Sequence, residues 1–147
     1  MTFKRWAPAM LAAGLFQFAP AFAADTQFTA DLDPAPMTLA TRPDLTGEGT
    51  LNGTLNGGTL TIGGKFSGLA SAATKAQLQL GTAPFLQGPV IATLTISQGT
   101  SGTISGTAKL SRAQIDALQK GGLYVEIDTV KVPDGTLRGW FLAPSAQ

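Results

Sequence analysis

Near the C-terminal end of the chain, Glu126, Asp128 and Arg138 place two carboxylates and a guanidinium in a stretch that also carries Tyr124 and Trp140. On an extended strand, alternate positions share a face, so the two carboxylates stand about 7 Å apart on one side. Paired acids of that kind serve glycoside hydrolysis, and oxygen donors alone make a weak site for a hard cation such as calcium. Upstream, Gln77 and Gln79 repeat the alternate spacing with two amides. Exposed aromatic rings beside polar groups make a binding platform. The plain alternative is that Arg138 pairs with Asp128 or Glu126 across two strands, a surface ion pair worth about 0–1 kcal/mol. Too few carboxylates converge to favour calcium, and nothing in the sequence suggests a sugar cleft. Gln77, Gln79, Tyr124, Glu126, Asp128, Arg138 and Trp140 are therefore a candidate polar and aromatic surface, with no catalytic, cofactor or metal role assigned to any of them.

What the chain lacks narrows its chemistry further. It contains no histidine and no cysteine. That removes Ser-His-Asp and Cys-His catalysis, an imidazole base near neutral pH, and zinc or copper sites ligated by His or Cys. No disulfide holds the fold together, so the core must do so. No cofactor is implied.

The elements that position the candidate residues are strands. Residues 121–142 read as a hairpin in which Leu123, Val125, Ile127 and Thr129 alternate with Tyr124, Glu126 and Asp128. Val132-Pro133-Asp134-Gly135 suits a tight turn with a bulge. Taken so, the turn sets Thr129 opposite Gly139, Ile127 opposite Phe141 and Asp128 opposite Trp140, with Arg138 diagonal to Asp128. One face of the hairpin, with Leu123, Val125, Ile127, Leu137 and Phe141, is predicted core.

Earlier in the chain, 27–32 predicts a first strand and 33–44, with Pro34, Pro36 and Pro43, an irregular connection, the segment best placed to cover an edge. Residues 47–69 predict a hairpin turning at Asn56-Gly57, and the Gly63-Gly64 pair a bulge or a close backbone approach. Further strands fit 74–81, 90–96 and 103–110. Between the last of these and the C-terminal hairpin, Ser111 and Gln114 form a capping box, Leu110 and Ile115 a staple, and Gly121 a stop, which together predict a short helix. Short strands at regular spacing point to an all-β, antiparallel, Greek-key-like sandwich.

At the N-terminus, Lys4 and Arg5 precede a broken apolar run and Ala21-Phe22-Ala23, the pattern of a secretory signal peptide cut after Ala23. The run is too short and interrupted to span a membrane. Taking 23 from 147 leaves 124 residues, one domain's worth. Ten basic side chains less Lys4 and Arg5 leave eight against nine acidic ones, a net charge of −1. Such a near-neutral surface argues against nucleic acid or anionic membrane as partner.

In this order the parts resemble the CHRD (chordin) domain family of secreted bacterial proteins, over nearly all of residues 24–147. The resemblance rests on Ser67-Gly68-Leu69, the helix of 111–122, Tyr124-Val125, Thr129, Pro133, Gly135 and Leu137-Arg138-Gly139. It implies an immunoglobulin-like or Cu,Zn superoxide dismutase-like sandwich. It also implies a metal-binding cluster of histidines, from an Ala-His-x-His strand and an Asn-x-His hairpin. In this chain those positions read Ala76-Gln77-Leu78-Gln79 and Glu126-Ile127-Asp128, and each histidine is replaced. Two functions follow as expectations. The first is an exported, periplasmic or extracellular, non-catalytic module for an unknown protein or small-molecule partner; the second is a metal-handling or dismutase-like protein, implied by the resemblance alone.

Overall fold

The computed structural model describes residues 24–36, 38–40, 42–82 and 86–144, and the leader read at 1–23 lies outside them. Eight strands and one helix follow one another as β1 (Thr26–Pro34), β2 (Glu48–Asn56), β3 (Thr59–Ser67), β4 (Ala73–Leu80), β5 (Val90–Ile96), β6 (Gly102–Lys109), α1 (Arg112–Gln119), β7 (Leu123–Thr129) and β8 (Leu137–Trp140). The strands close into a barrel in the order β1-β2-β3-β6-β5-β4-β7-β8, with every pairing antiparallel. Strands β4, β5 and β6 are neighbours in sequence and β3 returns beside β6, which is Greek-key order.

The all-β, antiparallel expectation holds, and the sandwich is corrected to a closed barrel. Two broad walls exist, β1-β2-β3-β6 and β5-β4-β7-β8, but two seams join them. Thr95 and Ile96 pair with Ser105 and Ile104 at one seam. At the other, Asp33 and Pro34 pair with Arg138 and Leu137, and a bridge links Thr29 to Leu142. Closure pairs the two walls at both seams, where a two-sheet stack would leave them unpaired.

Inward positions of the strands fill the barrel. Phe28, Leu32, Leu51, Leu60, Ile62, Phe66, Leu78, Leu94 and Ile104 are buried there with the predicted Leu123, Val125, Ile127, Leu137 and Phe141. Helix α1 forms through the predicted capping box: Ser111 Oγ accepts from Gln114 N, and Gln114 Oε1 accepts from Ser111 N. It buries Leu118 against the core ahead of β7. The β2–β3 turn is one residue later than predicted: Asn56 pairs with Thr59, leaving Gly57 (φ 54°) and Gly58 (φ 91°) as the two turn residues. Both angles are positive, and glycine reaches them without strain.

Candidate functional site

Strand β7 is buried at all seven positions. Its inward residues belong to the core, so Tyr124, Glu126 and Asp128 point out of the barrel wall and are nevertheless covered. Cross-strand pairing assembles them with the other candidates. Glu126 lies between Gln77 of β4 and Arg138 of β8, and Tyr124 lies between Gln79 and Trp140. Asp128 faces Lys75.

This register corrects the one inferred from the turn. Ile127 pairs with Leu137 rather than Phe141, and Trp140 faces Tyr124 rather than Asp128. The cause is the connection, which is wider than a tight turn. Thr129 N donates to Val132 O, Thr136 N donates to Ile127 O, and the Thr129 and Thr136 hydroxyls bond at 2.8 Å. The slip is four residues, an even number, so every side chain keeps its predicted face. It moves Arg138 from a diagonal relation with Asp128 to a position directly opposite Glu126.

The resulting contacts are close. Arg138 Nε donates to Glu126 Oε2 at 2.6 Å. Gln87 Nε2 donates to Glu126 Oε1 at 2.7 Å and to the Asp134 carbonyl at 2.9 Å, tying two connections together over the carboxylate. Tyr124 Oη donates to Gln79 Oε1 and accepts from Gly88 N at 2.9 Å. Gln79 Nε2 donates to Gln77 Oε1 at 3.4 Å. Lys75 Nζ pairs with Asp128 Oδ2 at 3.0 Å, and Asp128 Oδ1, also buried, has no hydrogen-bond partner. The Tyr124 and Trp140 rings meet at 4.6 Å, tilted by 43°, and the Arg138 guanidinium sits 5.7 Å from the Tyr124 ring centre.

A glycine is required where the second connection crosses the site. At Gly135, with φ 111°, an added Cβ would lie 2.8 Å from Glu126 Cδ. Gln87 and Gly88, together with 134–135, cover this face. The signal for Gln87 was absent from the sequence, because its partner Glu126 is 39 residues away.

Burial fixes the electrostatics. Glu126 is 2% exposed and Asp128 4%. Loss of water pushes the Glu126 carboxyl above its ordinary value, and Arg138 pulls it back only in part. Asp128 is raised for the same first reason, with Lys75 opposing.

The positions where the family resemblance implies metal-binding histidines do not fit a metal. Gln77 Oε1, Gln79 Oε1, Glu126 Oε1, Glu126 Oε2 and Asp128 Oδ2 all accept protein hydrogen bonds or ion pairs. Only Asp128 Oδ1 is uncommitted. A concavity of about 1020 Å³ does exist, but on the opposite wall, lined by Asp31, Asp33, Glu48, Thr50, Asn52 and Lys65 among others, and none of the seven candidates borders it.

Fold and site define an antiparallel Greek-key barrel with a sealed polar network on one wall. The sequence model of the CHRD domain matches residues 28–141, most of the chain, and the protein belongs to the CHRD family. No curated protein and no solved structure matches it. No helix among the described residues is long and apolar enough to cross a membrane.

Proposed function

We propose that this protein is an exported, non-catalytic barrel module that engages a protein or small-molecule partner at the rim of the covered wall, through Trp140. The observation that carries the reading is a contrast within one pair of rings. Tyr124 is fully buried, whereas Trp140, stacked against it, keeps 38% of its surface exposed. Leu142, two residues further along the chain, is also exposed, as is Val90, three strands away in the same cross-strand row. An aromatic held rigid from below and open above loses little entropy on binding. Both carboxylates are almost fully buried and already held by Arg138, Gln87 and Lys75, which supports a non-catalytic role.

Because Trp6 falls in the predicted leader, Trp140 is the single tryptophan of the remaining chain. Its fluorescence therefore reports contact directly. In pull-downs from the exported fraction, Trp140→Ala is expected to keep its melting temperature within a few degrees and to lose the partner that shifts wild-type fluorescence. Retention of every partner by the folded variant would overturn the reading.

A further inference from the structure

We propose that Lys75 and Asp128 condense to an intramolecular amide bond, cross-linking β4 to β7, with Glu126 relaying the proton. This goes beyond the binding role and does not depend on it. The amine and the carboxyl already sit 3.0 Å apart, on directly paired residues of adjacent strands. The Asp128 side chain is 5% exposed, and its Oδ1 has no hydrogen-bond partner among the described residues, which leaves one carboxyl oxygen free to depart. Lys75 is 46% exposed, which gives the released water and the ammonium's proton a path to solvent. Glu126, two residues along β7 on the same face, is the second buried carboxyl there and pairs with Gln77, two residues along β4 from Lys75.

The chemistry balances without a co-reactant. The deprotonated Nζ gives its lone pair to Asp128 Cγ, the C–N bond forms, and the tetrahedral centre expels one carboxyl oxygen. That oxygen leaves as water with the two protons the ammonium surrenders, and an uncharged amide replaces an ion pair. Positioning supplies the drive, since groups held in reacting geometry reach effective molarities of about 10⁵–10⁸ M. Burial adds to it: the same loss of water that raises both carboxyls disfavours the charged reactants more than the neutral amide that replaces them. In a chain without cysteine, such a bond gives the covalent tie that exported domains otherwise take from disulfides.

Intact-mass measurement of the folded, purified chain, with its N-terminus read independently, tests the proposal. The wild type is expected to be one water lighter than its sequence. A tryptic digest should then contain a branched peptide joining 66–109 to 121–131, uncut after Lys75. Lys75→Ala, a change at a half-exposed position, should restore full mass and two separate peptides. Glu126→Gln, once shown folded by circular dichroism, should convert far more slowly; conversion at the wild-type rate would remove Glu126 from the reaction. Full mass in the wild type after long incubation from neutral to alkaline pH overturns the proposal. So does a water loss that persists in Lys75→Ala or lacks the branched peptide, which would place it at the succinimide-prone Asp134-Gly135.

Discussion

On the outer face of β2 and β3, Asn52, Thr61 and Lys65 stand exposed to solvent; on the outer face of β4 and β7, Gln79, Tyr124, Glu126 and Asp128 are buried. Both walls show the same alternation of apolar and polar residues. They differ in what crosses them. Gln87, Gly88 and Asp134-Gly135 lie over the second wall and supply the donors and the space its carboxylates need. Over the first lies the open concavity bordered by Asn52 and Lys65. Alternation fixes which residues leave the core, and the connections decide whether those residues meet water.

The contrast breaks most readily at Arg138. Removing one member of a buried ion pair strands the other charge, at about 3–5 kcal/mol. Arg138→Ala is therefore expected to lower the denaturant midpoint severely. On the bare wall, Lys65→Ala should stay within about 0.5 kcal/mol of wild type. Equal, small effects would mean that Glu126 is in fact solvated. A smaller loss is expected at Tyr124. Tyr124→Phe keeps the ring stack with Trp140 but leaves Gln79 Oε1 and Gly88 N unsatisfied, at about 1–3 kcal/mol in urea unfolding. Neighbouring rings should hold the fold intact.

The pH dependence is smaller still, and its sign is distinctive. A buried acid with a raised folded pKa binds its proton more tightly in the native chain than in the unfolded one. Its contribution makes stability rise as pH falls through the folded pKa, and level off below the ordinary 4.5 of Glu126. Asp128 acts in the same direction in any chain whose Lys75–Asp128 cross-link has not formed. Urea titrations from neutral pH down to about 4.5 should show this trend in the wild type and a flatter one in Glu126→Gln. An identical slope in both would place the titration elsewhere.

Much of this was legible in the sequence, for a local reason. Period-two alternation identified the apolar face of β7 and β8 residue by residue, and the capping box placed α1, because both depend on neighbours in the chain. The register of the last hairpin was not legible. Val-Pro-Asp-Gly has the composition of a tight turn, whereas the threonine pair Thr129 and Thr136 closes a wider one, and hydroxyls seven residues apart give no pattern to read. Barrel closure was hidden because it rests on β1 meeting β8, the two ends of the described sheet. Cross-strand pairing sets the candidate residues side by side, but the cover over them comes from Gln87, whose amide carries no signal until Glu126 is folded beneath it.

The central claim is that this polar wall is sealed while the other is open, and the absence of native cysteine permits a direct measurement. A thiol introduced by Gln79→Cys on the covered wall and one introduced by Thr61→Cys on the bare wall are compared by the rate of labelling in the folded protein. The thiol at 61 should react at once, and the thiol at 79 only as the chain unfolds, with a rate that tracks denaturant. Prompt labelling of both in chains shown to be folded would contradict the account.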